Sequence, residues 1–308
     1  MSHTAASSRR RLAADLSLLA ITAVWGVTFV TVKNAVAAYP VFPFLMLRFL
    51  IAALALAPAA WWARGRFRPG DLPAGIAAGF LLFTGYALQT LGLQETEAAK
   101  AGFITGLSVV LVPVIMAVLW RQLPPQRAIA GTALATVGLA LLSLNADWSI
   151  HRGDLLVLGC AFGFAGHIVA LSILSPGRDP RVLTLVQVAT VTVLSAGASL
   201  VSGGVPAVPA PVLEAAAFTG VVATALAFFV QTAAQRLTPA THTALILTAE
   251  PVFAALFGVA IAGERLVARG WLGCVSILVG VILGALAGEA GSAPKPADAA
   301  PIMQEEAS

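Results

Sequence analysis

An all-α membrane protein of ten transmembrane helices, built as two inverted five-helix repeats, is the fold this sequence predicts. Three observations carry that expectation. Of the 308 residues, 59% are hydrophobic and only 10% are charged, where a typical soluble domain is about 25% charged; mean hydropathy is +0.91. The apolar residues gather into ten runs, each near the roughly 20 residues that cross a bilayer core as a helix. Finally, the second half of the chain repeats polar positions of the first. No soluble core of this size could hide so much apolar side chain, which excludes a water-soluble enzyme, an extended nucleic-acid binder and a disordered chain. Spanning barrel strands would be only about 9–11 residues long with alternating polarity, and these runs do not alternate.

Charges and Pro/Gly clusters punctuate the runs, which place spans near 15–36, 42–62, 72–93, 98–119, 126–145, 153–174, 182–202, 211–234, 239–261 and 268–288. The first follows Arg9, Arg10 and Arg11. No small-residue cleavage site closes it, so it reads as a retained helix and not a signal peptide. Pro40 separates the first two spans, and Arg64, Arg66, Arg68 and Pro69 separate the second and third. Arg121 with Pro124-Pro125, His151-Arg152, Asp179-Pro180, the prolines from Pro206 to Pro211, Pro239 and Arg269 mark later boundaries. The expected units are a disordered cytoplasmic tail at 1–11, five-helix repeats at 12–147 and 148–289, and a disordered Pro/Ala/acidic tail at 290–308. Short loops leave almost no room for a folded domain outside the membrane.

Loop charge predicts the orientation. With the N-terminus inside, twelve Lys and Arg fall in cytoplasmic segments: Arg9 to Arg11, Arg64, Arg66, Arg68, Arg121, Arg127, Arg178, Arg181, Arg236 and Lys295. Four fall outside, namely Lys100, Arg152, Arg265 and Arg269. The bias puts both termini in the cytoplasm, and the hairpin carrying Arg265 and Arg269 runs against it. The net charge of +4 is therefore a topology signal and implies no nucleic-acid partner. Cys160 and Cys274 lie in apolar runs and read as small buried hydrophobes. No CxxC, HExxH or Walker A motif is present, so no metal, cofactor or ATP site is expected.

Sliding the chain on itself by 142 residues aligns 85–142 with 227–284, with 11 identities in 58 positions. Gln89-Thr90 falls on Gln231-Thr232, Tyr86 on Phe228, Thr96 and Ala98 on Thr238 and Ala240, and Arg127 on Arg269. Gly131 and Gly138 fall on Gly273 and Gly280. Trp25-Gly26 corresponds to Phe162-Gly163 with a shorter offset. Five spans is an odd number, so the second repeat enters the membrane from the opposite side. Secondary transporters are built this way, with the substrate site near the midplane between the halves.

Several residues resemble the drug/metabolite transporter superfamily in its ten-helix EamA-type branch. They are Trp25-Gly26 with Phe29, Leu47-Arg48-Phe49, Gly102-Phe103-Ile104-Thr105, and above all Ala249-Glu250-Pro251-Val252-Phe253-Ala254-Ala255 followed by Gly263-Glu264-Arg265-Leu266. The resemblance spans about 12–288. It implies a transporter of amino acids, other metabolites or toxic compounds, mostly exported across the bacterial inner membrane. The first half departs from the motif: Ser108-Val109 stands where the second has Glu250-Pro251, and Pro113 follows.

An ionisable group at the bilayer midplane costs at least about 2.5–3.5 kcal/mol on insertion scales, so each one needs a reason. Glu250 lies in the middle of the ninth span. Burial and a nearby cation act oppositely on a carboxyl group, and a Glu held between them can exchange protons near neutral pH; the alternative is an interhelical hydrogen bond. Pro251 cannot bond back to Leu247, and the freed carbonyl must face protein or water. Pro113 is the matching helix break of the first half. Arg48 either pairs with Glu250, accepts a substrate carboxylate through its planar fork, or snorkels outward. Lys33 reads as a snorkelling charge at the end of the first span, and Glu264 as a helix-end brace. Tyr86 with Gln89, and Phe228 with Gln231, share one helix face each and suit a pocket for a small amphipathic molecule or ordinary packing. Trp25 lines that cavity or fills space. His167 is a proton relay or a hydrogen-bonded helix contact, and His242 is expected to be wet at the cytoplasmic entry of the ninth span. The pairs Gly102/Gly106 and Gly280/Gly284 allow close helix approach.

These features favour a secondary active exporter of small metabolites working by alternating access, with protons as a coupling partner. The alternatives are an uncoupled facilitator or channel and, further off, an intramembrane enzyme, for which no nucleophile–base constellation is present. The expected partners are a small-molecule substrate and the bilayer, with the chain as monomer or homodimer.

Overall fold

The computed structural model describes residues 2–143, 150–262 and 265–288. Glu264 and the 290–308 tail of the sequence expectations lie outside them. Thirteen helices make ten spans. Helices α1 (Ser2–Ala38), α2 (Val41–Trp62) and α3 (Asp71–Glu95) are spans 1 to 3, and α4 (Ala98–Gly106) with α5 (Ser108–Trp120) form span 4. Helices α6 (Gln126–Ser143), α7 (Arg152–Leu174) and α8 (Pro180–Val201) are spans 5 to 7. Helix α9 (Ala210–Gly220), a π segment at Val221–Leu226 and α10 (Ala227–Ala234) form span 8. Helices α11 (Ala240–Leu247) and α12 (Glu250–Ala262) form span 9, and α13 (Ala268–Gly288) is span 10. All ten are long and apolar enough to cross a membrane. The first helix begins at Ser2, so residues 2–11, expected as a disordered tail, are helical. Nothing in the run of Ala, Ser and Arg there breaks a helix once span 1 has nucleated it.

Large apolar side chains cover the outside: Leu54, Val118 and Leu200 are 64%, 72% and 77% exposed. Lipid is the solvent for that surface. Trp61 and Trp62 end span 2 in the exposed position of an interfacial aromatic belt, and Arg64 stacks on Trp61 with its Cζ 4.6 Å from the ring centroid. Buried hydroxyls such as Thr22 and Thr248 donate to the carbonyl one turn back, at 2.7 Å each, which satisfies them without a partner helix.

The two halves are related by a pseudo-twofold axis. Span 3 packs on span 6 as span 8 packs on span 1. Span 3 meets span 7 as span 8 meets span 2, and span 4 meets span 6 as span 9 meets span 1. The axis passes between spans 5 and 10, where glycines face each other. A Cβ on Gly138 would stand 2.7 Å from the Gly273 oxygen, and one on Gly273 equally near the Gly138 oxygen; Gly131 and Gly280 repeat this at 2.6 Å. The pairing runs 131 with 280 and 138 with 273, so these two helices are antiparallel. Each closes its own half, and the halves are therefore inverted.

The span-4 and span-9 helices break at equivalent places. Leu107 separates α4 from α5, and Thr248-Ala249 separate α11 from α12; adding 142 carries Leu107 onto Ala249. At both breaks the amide bonds three residues back, Leu107 to Ile104 and Ala249 to Ile246, at 3.1 Å each. Pro251 lies in the first turn of α12, where its missing N–H is no loss, so the helix restarts there instead of kinking. Pro113, expected as the break of the first half, lies within α5. The break precedes it at Leu107, because the tightened turn and not the proline interrupts the ladder.

Candidate functional site

Five helices bring their midplane residues into one cluster. Arg48 of span 2 is 2% exposed. Its Nε donates to Thr224 Oγ1 at 2.8 Å and its Nη2 to the Tyr86 hydroxyl at 3.2 Å. Its guanidinium also lies over the Tyr86 ring, 4.7 Å from the centroid. Aromatic rings enclose it. Tyr86 meets Phe49 at 5.1 Å, Phe164 at 5.3 Å and Phe228 at 6.0 Å between centroids, all edge to face. Phe228 in turn meets Trp25 at 5.4 Å and His167 at 5.7 Å. Edge-to-face pairs set positive ring edges against negative faces, and the faces they leave can stabilise a cation.

The π segment of span 8 supplies two of these contacts. One extra residue in the turn displaces the backbone ladder. Within it the Ala223 carbonyl accepts the Trp25 indole N–H at 2.7 Å, and Thr224 accepts from Arg48. Span 3, the counterpart, is helical throughout, so the halves differ here. Trp25 therefore does more than fill space: it ties span 1 to the irregular turn of span 8.

Glu250 begins α12 and is partly exposed. Among the described residues no hydrogen bond or ion pair holds its carboxylate, and Arg48 is the cation whose charge reaches it. The sequence left open a direct Arg48–Glu250 pair; here Arg48 is taken up by Thr224 and Tyr86. The Glu250 backbone packs on Gly26, where a Cβ would come 2.8 Å from the Glu250 oxygen. The Trp25-Gly26 pair thus has two jobs, a ring for span 8 and a bare backbone for span 9.

His167 is buried, its Nε2 2.8 Å from Gln187 Oε1. Gln187 donates to Leu183 O and to Thr232 Oγ1 at 3.2 and 3.4 Å. His167 thus joins span 6 to span 7 through Gln187. The two repeat-related glutamines do not converge. Gln89 donates to Thr105 of span 4 at 3.2 Å. Gln231 donates at 2.9 Å to Gln235, the residue that caps the end of α10, and its Oε1 is buried without a partner among the described residues. His242 is 8% exposed and not wet, and Lys33 reaches the Thr96 carbonyl at the end of span 3, at 3.4 Å. Phe49 stood out only within the Leu47-Arg48-Phe49 resemblance, and Phe164, Gln187 and Thr224 were not singled out from sequence. Nothing in their local pattern separates them from lipid-facing or packing residues.

A second polar region lies at the face that carries the 2–3 and 6–7 loops. A cavity of about 420 Å³ there is lined by Arg66, Arg68, Arg178, Arg236 and Asp179 among others. Asp179 caps span 7, accepting from the Arg181 amide at 3.0 Å and from its guanidinium at 2.8 Å. Those bonds hold its carboxyl down at about 2. Arg178 Nε stands 3.2 Å from the fully buried Asp71, an ion pair out of line for a hydrogen bond.

Comparison with known proteins follows the two halves. The EamA-like transporter family matches residues 12–144 and again 151–285. An "uncharacterized transporter" of Archaeoglobus fulgidus is 35% identical over 275 residues, covering 89% of this chain and 86% of that protein. A solved crystal structure superposes with a TM-score of 0.75 over 90% of this chain and 98% of its own, at 19% identity, a likeness of fold alone.

Proposed function

Because the chain belongs to the EamA-like transporter family, we propose that this multi-pass membrane transporter exports small amphipathic metabolites, amino acids among them, by proton-coupled alternating access. The observation that carries this is the equivalent helix break in each half, in spans 4 and 9. Leu107 and Ala249 mark those breaks, and Glu250 begins the helix that follows the second of them. Exchange of conformation between inverted halves turns the midplane cluster from one side of the membrane to the other.

The chemistry divides between the two charges. Arg48 is held at two donor positions, and its planar fork suits a substrate carboxylate that displaces Thr224 or Tyr86. The rings of Trp25, Tyr86 and Phe228 suit the apolar part of such a molecule. Glu250, with no bonded partner among the described residues, takes the proton. The loop charges favour both termini in the cytoplasm, and the family resemblance implies the inner membrane of a bacterial cell.

The test is uptake by proteoliposomes across a panel of amino acids and cationic drugs, with and without an imposed pH gradient. Gradient-dependent accumulation of at least one compound is expected. Transport indifferent to the gradient would favour the uncoupled facilitator.

A further inference from the structure

Two small clusters outside the central site are copies of each other. Thr238 Oγ1 donates to Asp15 Oδ1 at 3.2 Å, and His242 Nε2 lies 3.1 Å from Asp15 Oδ2. Thr96 Oγ1 donates to Asp154 Oδ1 at 2.6 Å, and Lys100 Nζ lies 2.6 Å from Asp154 Oδ2. Adding 142 carries Thr96 onto Thr238 and Lys100 onto His242. Asp154 lies in the first turn of the first helix of its half, and Asp15 lies in the N-terminal half of α1.

The clusters occupy opposite ends of the bundle. Asp15 lies in the N-terminal half of α1, while Lys33, toward the other end of the same helix, donates to the Thr96 carbonyl. Those two positions are about 27 Å apart along a helix. Each cluster also crosses between halves. Asp15 belongs to the first half and its partners to the second; Asp154 belongs to the second half and its partners to the first.

We propose that these are the two latches of alternating access, the Asp15–Thr238–His242 latch closing the N-terminal face and the Asp154–Thr96–Lys100 latch closing the opposite face. The proposal rests on the alternating-access reading above. A rocking of the halves that opens one face pulls one carboxylate from its partners and leaves the other in place. Both latches are made in this structure. They differ in strength. The Lys100 ammonium brings three donors to Asp154, which also accepts from the His151 amide at 2.9 Å. The imidazole of His242 is out of line for a hydrogen bond to Asp15. The N-terminal face is therefore the easier one to open.

Distances between spin labels in lipid nanodiscs test this, with Cys160 and Cys274 replaced by alanine in the full chain. Labels at Leu12 and Leu237 report on the N-terminal face, and labels at Ile150 and Glu97 on the opposite one. Asp15→Asn should raise the long-distance fraction of the first pair about tenfold and leave the second unchanged, the loss expected for a charge-assisted bond. Asp154→Asn should do the reverse. Thr238→Val and Thr96→Val, gentler changes, should act in the same directions, and His242→Lys should lower the open fraction of the first pair below wild type. If either Asp variant opens both faces, or the wrong one, while the wild type samples two distances, the latches are refuted and alternating access stands. A single unchanged distance at both faces in every variant overturns both.

Discussion

Removal of one hydroxyl tests whether Tyr86 holds Arg48. In Tyr86→Phe the ring stays in place against Phe49, Phe164 and Phe228, and the guanidinium keeps both the ring face and Thr224. Only the bond from Nη2 at 3.2 Å is lost. Hydrogen bonds to charged groups contribute about 1.5–3 kcal/mol, and this one is long, so a cost at or just below the bottom of that range, about 1–1.5 kcal/mol, is expected. Tyr86→Ala removes the ring as well. That forfeits a desolvated cation–π contact of about 2 kcal/mol and leaves an aromatic-sized void, for a total of about 3–5 kcal/mol. The discriminating measurement is a double-mutant cycle. In an Arg48→Met background the hydroxyl has no cation to serve, so Tyr86→Phe should cost less than about 0.5 kcal/mol, a coupling of about 1 kcal/mol. Reversible unfolding in mixed micelles, followed by tryptophan fluorescence, gives the four values. Equal costs of Tyr86→Phe in both backgrounds would refute the assignment. So would a Tyr86→Phe protein as unstable as Tyr86→Ala.

Other expectations concern coupling, packing and pH. Glu250→Gln should abolish the response of transport to a pH gradient while the protein stays folded in the membrane, measured in the same proteoliposomes; a normal response removes Glu250 from coupling. Gly138→Ala forces a Cβ to 2.7 Å from the Gly273 oxygen and should cost about 1–3 kcal/mol. Gly102→Ala, with open space around it, should be neutral or stabilising by up to about 1 kcal/mol; thermal unfolding of the two in detergent separates them. Asp179 has its folded carboxyl lowered to about 2, below an unfolded value of about 3.9. Its contribution is therefore complete above pH ~4 and lost as pH falls toward ~2. The stability gap between wild type and Asp179→Ala, about 1 kcal/mol from the lost cap, should be constant from pH 7 to 5 and close between pH 4 and 2.

Span count, span limits and the repeat were legible in the sequence, because lipid demands a run of apolar residues of known length and charges end it. Glu250 and Arg48 stood out for a related reason: a charge inside such a run carries a desolvation cost that function must justify. The repeat was legible at Gln89/Gln231 and Gly131/Gly273, where polar and small residues recur against an apolar background. What those glutamines touch was not. Each bonds within its own neighbourhood, Gln89 to Thr105 and Gln231 to Gln235, and no pattern along one strand of sequence says which helix lies opposite.

By itself, then, the sequence determined a ten-helix membrane bundle of two inverted halves and drew attention to its few intramembrane charges, since hydropathy is a property of each segment alone. Only the tertiary structure decided that spans 4 and 9 break at Leu107 and Ala249, that a π turn in span 8 meets Trp25 and Arg48, and that Asp15 and Asp154 reach across to the other half. Inside a bilayer the protein-facing and lipid-facing sides of a helix are almost equally apolar. Which faces meet depends on close packing at glycines and on hydrogen bonds between residues as much as 223 positions apart, and neither leaves a local trace.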